Sequence, residues 1–213
     1  MNAFTGFPLA GLDFYEDLEA DNSKAFWTAH KQTYDDAVRA PMVALTAELT
    51  AEFGEARVFR PYRDVRFSAD KTPYKTHQGA VVHLAPGVGW YVQISAAGLS
   101  VGGGCFRPEP SALAALRATI DNDVRGRELE HILATITAAG YVLGGEQLKT
   151  RPKGYPADHP RLALLRHKSL IVRREHGAPD WLETPAAVTE VRRAWNELRP
   201  LVEWLAAVLE GVD

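Results

Sequence analysis

The sequence predicts an α+β fold, a central antiparallel sheet covered by N-terminal helices and a long C-terminal helix. Three observations predict it. Apolar residues in the first fifty positions recur at helical spacing, the middle of the chain switches to a period of two, and the stretch opened by Thr184-Pro185 returns to helical spacing.

Each element follows from its local pattern. Phe7, Leu9, Leu12, Tyr15 and Leu18 approximate one helical face, which Asp21-Asn22 ends. Phe26, Trp27, His30 and Tyr34 share the face of a second helix, a placement that assigns His30 to core or interface. Pro41 suits the first turn of a third, with Met42, Leu45, Leu49 and Phe53 as its stripe and Gly54 at its end. Residues 56–62 read as a strand and 79–85 as the next. Pro86-Gly87 and Gly89 mark a turn, after which Trp90, Val92 and Ile94 alternate with Tyr91, Gln93 and Ser95 as on a half-buried strand. Ala97-Gly98 turns the chain into a strand at 99–105, and three short strands with tight connections make an antiparallel meander.

Two helices follow. Pro110-Ser111 starts one bearing Leu113, Leu116 and Ile120; the other carries Leu129, Ile132, Leu133 and Ile136 and closes at Gly140. Residues 141–150 read as a small hairpin about Gly144-Gly145. Three prolines and a glycine make 151–160 a loop, followed by a short helix near 160–166 and a strand at 168–174. Thr184 is the N-cap and Pro185 the first residue of the C-terminal helix, whose face runs Val188, Val191, Trp195, Leu198, Leu201, Leu205, Val208 and which Pro200 is expected to kink or break.

With 213 residues, 46% hydrophobic and 24% charged, the chain reads as one soluble domain, 1–213, able to bury roughly 70% of its unfolded surface. Its one cysteine, Cys105, excludes an internal disulfide and fits a reducing cytoplasm. The N-terminus lacks the basic and apolar regions of a secretory signal, and no apolar run approaches the length of a membrane span. The net charge of −3 hides an asymmetry. Residues 57–77 carry six Lys/Arg against two Asp/Glu, and 146–176 carry eight against three, so the remainder is strongly acidic. A basic field on an acidic body favours a focused anion site over a nucleic-acid coat.

The densest feature is Arg60-Pro61-Tyr62-Arg63-Asp64-Val65-Arg66-Phe67-Ser68-Ala69-Asp70-Lys71-Thr72-Pro73-Tyr74-Lys75, with five cations, two carboxylates and two tyrosines. Its two prolines exclude a continuous helix. On a strand Asp64 and Arg66 share one face and Arg63 takes the other. Planar guanidinium forks grip phosphate or carboxylate, so Arg63 and Arg66, with Lys71 and Lys75, can build an anion cradle; the competing reading is an ion-pair network in which Asp64 holds an arginine to fix the loop. Lys149, Lys153, Tyr155 and His159 form a second cluster, where Gly154 lets backbone approach an oxyanion.

The motif Arg60-x-x-Arg63-Asp64-x-Arg66-Phe67, with Asp70-Lys71-x-Pro73-Tyr74-Lys75-Thr76, resembles the signature of a bacterial conserved-hypothetical family, domain of unknown function 2461. Asn22, Phe26-Trp27, Tyr34, Trp90-Tyr91-Val92, Gly102-Gly103-Gly104 and Leu148-Lys149-x-x-Pro152-Lys153-Gly154-Tyr155 with Asp158-His159-Pro160 follow in the order that resemblance requires. It extends from about Phe7 to the C-terminal helix and implies a single-domain soluble bacterial protein, with no activity, ligand or catalytic residue to carry over.

Other motifs are bland. Gly102-Gly103-Gly104 fits neither the phosphate-binding loop nor the dinucleotide fingerprint and reads as a bulge or close packing. Cys105 reads as a small buried hydrophobe rather than a nucleophile paired with His83. The seven histidines have no metal-ligand spacing, so neither metal nor cofactor is expected. The leading expectation is a site for an anionic, plausibly phosphorylated, small molecule built from Arg63, Arg66, Lys71, Lys75 and Lys153, with Tyr74 and Tyr155 supplying hydroxyls or a stacking surface. Asp64, Asp70 and His159 are the acid–base groups available to any chemistry. The alternatives are a single-stranded nucleic-acid module, which the pI near 6.2 disfavours, and a structural surface through which copies of the chain associate.

Overall fold

The computed structural model describes residues 3–66 and 69–210, so Phe67 and Ser68 of the charged motif lie outside the described residues. The N-terminal helices are α1 (Ala10–Ala20), α2 (Lys24–Tyr34) and α3 (Ala40–Phe53). Then come β1 (Ala56–Val58), β2 (His77–Ala85), β3 (Val88–Ser95), β4 (Gly98–Cys105), α4 (Pro110–Asp121), α5 (Asp123–Ala138), β5 (Val142–Gly144), α6 (Leu162–Leu165), β6 (Leu170–Gly177) and α7 (Ala186–Leu209). The strands form one antiparallel six-stranded sheet in the order β1-β2-β3-β4-β6-β5. The expected α+β fold, with its meander and long C-terminal helix, is the observed one.

Two compact units divide the chain, Met1–Val82, Tyr91–Val101 and Glu175–Arg193 in the first, His83–Trp90, Gly102–Arg174 and Ala194–Asp213 in the second. In the first, Leu12, Tyr15, Leu18, Trp27, Tyr34, Met42, Leu45 and Leu49 are buried, as the helical stripes predict, while Leu9 is exposed and Phe14, outside the predicted stripe, is buried. A five-residue π-helical turn, Asp35–Arg39, joins α2 to α3, and the carbonyl of its Ala37 would lie 2.6 Å from a Cβ at Gly11 on α1. Periodicity does not reveal this turn, because it inserts one residue without breaking the helix. Gly54 ends α3 at φ 99°, its N–H donating to the Thr50 carbonyl.

Several expectations are corrected. The strand expected over 56–62 keeps only three residues. Gly89 lies in β3 rather than in a turn. The partner of β5 is β6, in the register Val142↔Arg173 and Leu143↔Val172, and of residues 146–150 only Gln147 makes a bridge, to His167. His30 is exposed and stacks on Phe26 at 4.1 Å instead of entering the core. The helix α7 continues through Pro200. A proline within a helix costs about 3 kcal/mol, but Trp195, Leu198, Leu201, Val202 and Leu205 are each fully buried around it and each contributes about 1.5–3 kcal/mol.

In the second unit the three glycines serve packing. A Cβ on Gly102 would sit 2.6 Å from the Val172 carbonyl oxygen, and one on Gly104 would sit 2.2 Å from that of Leu170. Gly103 faces Leu198 and Val202 of α7. Trp90 is buried, and its indole N–H donates to the Trp195 carbonyl at 2.9 Å. Gly104 also holds φ at 137°, so Gly104→Ala should cost about 3 kcal/mol or more in urea unfolding. Gly144→Ala, where nothing lies within 4 Å of the new carbon, should stay within about 0.5 kcal/mol of the parent.

Candidate functional site

The charged motif is the outer part of a hairpin that begins as β1 and β2. These pair in the register Ala56↔Val82, Arg57↔Val81 and Val58↔Ala80, and the Phe59 N–H donates to the Gly79 carbonyl at 2.9 Å. Beyond that the strands meet again at a single bridge, Tyr62↔Tyr74. The chain takes two residues more from Tyr74 to Gly79 than from Phe59 to Tyr62. Gln78 fills the gap. Its side-chain N–H groups donate to the carbonyls of Phe59 and Gly79 at 2.8 and 2.9 Å, and its carbonyl accepts from the Tyr34 hydroxyl at 2.6 Å.

The prolines explain why no regular strand forms here. The Arg63 N–H donates to the Pro73 carbonyl and the Lys75 N–H to the Pro61 carbonyl, at 2.9 and 2.8 Å. Each of these pairs contains one proline, so neither can return the second bond of an ordinary antiparallel pair.

Alternation sorts the hairpin into two faces. Tyr62 and Tyr74 take one. Tyr74 is buried and lies flat on Trp27, with centroids 4.2 Å apart and planes 8° from parallel. The Asn22 carboxamide accepts from the Tyr74 N–H at 3.1 Å and donates to the Tyr74 carbonyl at 3.0 Å, pairing with it as a strand residue would. Burial raises the Tyr74 phenol above its ordinary pKa and pushes Tyr34 up to about 12, so both hydroxyls stay protonated near neutrality.

The opposite face is cationic. Arg63, Asp64, Lys75, Thr76 and His77 line an open depression of about 330 Å³. The Lys75 ammonium stands 5.2 Å from the centre of the Phe59 ring, donates to the Arg60 carbonyl at 2.9 Å, and shares that ring with the Arg57 guanidinium at 5.6 Å. Partial burial, then the charges of Arg60 and Arg57, lower the Lys75 pKa. Among the described residues no carboxylate forms an ion pair with Arg57, Arg60 or Lys75.

The tip of the hairpin is bonded to itself. Arg66 grips Asp64 with both ends of its fork, at 2.9 and 2.6 Å, while remaining exposed. Arg63 bonds Asp70 at 2.5 Å and Thr72 at 2.8 Å, and Asp70 accepts from the backbone and hydroxyl of Thr72. Lys71 donates to the Val65 carbonyl at 2.9 Å. The Arg66 hydrogen bonds lower the Asp64 pKa, and those of Thr72, followed by Arg63, lower that of Asp70, so both carboxylates stay ionised and suit holding the loop better than accepting protons. The structure thus brings Arg63, Asp64 and Lys75 to one depression, spends Arg66 and Lys71 on the tip, and buries Tyr74. Arg57, whose alternation with Phe59 was the available signal, escaped the sequence reading.

Lys153, Tyr155 and His159 belong to the second unit. The His159 ring accepts from the Arg161 backbone N–H on Nδ1 at 3.0 Å and hydrogen-bonds Asp121 through Nε2 at 2.9 Å, an arrangement that suits a neutral ring with its proton on Nε2. Both nitrogens are thereby engaged, Nε2 in tying the loop to the end of α4 and Nδ1 in a bond within the loop. Arg161, itself buried, donates to the carbonyls of Ile120 and Asp121 and to the Asp123 carboxylate. Tyr155 meets His159 edge-on at 6.1 Å, and Lys153 is exposed. Cys105 is fully buried, and burial pushes its thiol up to about 11, the opposite of a nucleophile's requirement. Among the described residues no three His, Cys, Asp or Glu converge as metal ligands, and no helix is long and apolar enough to cross a membrane.

A family model described as a conserved hypothetical protein, DUF2461, matches residues 10–204, and the chain belongs to that family. No curated protein matches it.

Asn22→Ala leaves the N–H and carbonyl of buried Tyr74 without partners and should lower the unfolding free energy by about 2–4 kcal/mol, read as a lower urea midpoint at unchanged slope. Cys105 should resist a thiol-specific disulfide reagent at pH 8 in the native protein and react completely in denaturant.

Proposed function

We propose that this member of the DUF2461 family binds a small anion, such as a phosphate ester, on the cationic face of the β1–β2 hairpin. The observation that supports the reading is the placing of two cations, Arg57 and Lys75, over the Phe59 ring, with the charge of Arg60 near enough to disfavour the Lys75 proton, beside an open depression and, among the described residues, with no carboxylate ion-paired to any of the three. Burial, then the charges of Arg60 and Arg57, disfavour the protonated form of Lys75, and a bound anion would relieve that repulsion. Arg63 and Thr76 offer further donors from the rim. The exposed Arg66 fork can leave Asp64 for a ligand at small cost, because water screens the pair. Lys71 would act through the loop it holds, as would Tyr74 through its stack. Lys153 and Tyr155 stand in the other unit, and the proposed site is built without them.

Thermal unfolding against inorganic phosphate, nucleotides, sugar phosphates and short oligonucleotides tests the reading. A ligand at a hundred times its Kd should raise the wild-type midpoint by about 5–10 °C. The shift should vanish in Arg57→Ala/Arg60→Ala, which removes two cations that hold no ion pair. No shift with any compound sinks the proposal. A shift that grows with oligonucleotide length and collapses with salt would replace it with the nucleic-acid reading.

A further inference from the structure

The cations of the hairpin face differ in one chemical respect. Arginine stays charged throughout the working range, whereas a lysine whose proton is weakly held becomes an amine nucleophile. Lys75 is half-buried, while Lys24, Lys31, Lys71, Lys149 and Lys153 are exposed and Lys168 is ion-paired to Glu146 at 2.5 Å. Its side chain donates a hydrogen bond to a carbonyl, that of Arg60, which a neutral amine retains while keeping its lone pair free. Phe59 shields one side of the amine from water, and the depression lined by Arg63, Asp64, Thr76 and His77, its carboxylate already paired with Arg66, opens beside it. A lysine that shares an aromatic ring with the Arg57 guanidinium and feels the charge of Arg60 stands in a setting that activates an amine toward carbonyl carbon.

We propose that Lys75 is a reactive amine that forms an imine with a small carbonyl compound carrying a phosphate or carboxylate group, the anion being held by the neighbouring arginines. This rests on the anion-site reading for the placement of the charged group. The ammonium first gives its proton to solvent. The nitrogen lone pair then attacks the carbonyl carbon, forming a carbinolamine, and the former carbonyl oxygen leaves as water as the C=N bond forms. The step involves no oxidation or reduction and needs no further reactant. Burial and the charges of Arg60 and Arg57 supply the driving influence, since they already disfavour the protonated form.

The test uses the whole chain with pyridoxal 5′-phosphate as an anionic aldehyde and pyridoxal as its phosphate-free counterpart. Borohydride trapping and peptide mass spectrometry then locate the adduct. The anionic aldehyde should label Lys75 at least about tenfold faster than Lys71, Lys149 or Lys153, and inorganic phosphate should slow that labelling. Lys75→Arg keeps the charge, removes the amine and should lose the adduct without a lower unfolding midpoint. Labelling spread evenly over the exposed lysines overturns the inference, and if phosphate still raises the midpoint the anion site survives it. Equal labelling of Lys75 by both aldehydes, with no protection by phosphate, sustains the reactive amine and removes the anion reading.

Discussion

The outer hairpin depends on one side chain making two hydrogen bonds. Asn22 sits between α1 and α2 and pairs with both backbone groups of Tyr74, substituting for a strand the sheet does not have there. The Trp27 ring closes over the same residue, and Tyr34 reaches Gln78. Asn22, Trp27 and Tyr34 thus hold the charged motif in place. Without these contacts the segment has two prolines, one isolated bridge and an exposed tip, too little to fix a conformation.

This arrangement divides the charged motif by role. The tip consumes its own charges: Asp64 with Arg66, Asp70 with Arg63 and Thr72, and Lys71 with a carbonyl. Such exposed pairs add little stability, but they shape a loop that has no other regular bonding. The base of the hairpin is different, since Arg57 and Lys75 share one aromatic ring and, among the described residues, no carboxylate is ion-paired to them or to Arg60. The ion-pair and anion readings of the sequence are therefore not alternatives for the whole motif. The ion-pair reading describes the tip, and the proposed anion site concerns the base alone.

The fold was legible wherever period and punctuation agreed. The stripe of α3, the alternation of Trp90, Val92 and Ile94, and the start of α4 at Pro110 fall where the pattern places them, while Leu9 and His30 leave the stripes of the first two helices. The failures have physical causes. The π-turn leaves periodicity almost intact, Pro200 is overruled by burial on both sides, and β5 pairs with a strand nearly thirty residues on, a choice local patterning does not encode. The site was legible as a location, because charge and aromatic residues concentrate there. Which cations are spent and which remain available depends on the bends at Pro61 and Pro73, and sequence does not display that.

The two extra residues on the returning strand of the hairpin carry a further consequence. Side chains alternate with a period of two, so a detour of two leaves every later residue on its original side. Tyr74 still turns toward Trp27, and Lys75 still turns toward Phe59. A detour of one would exchange them, driving an ammonium into the aromatic cluster and a tyrosine onto the charged face. Length variation between Tyr74 and Gly79 is therefore governed by parity: this segment can grow or shrink in pairs of residues, while a single insertion or deletion inverts the chemistry of both faces at once.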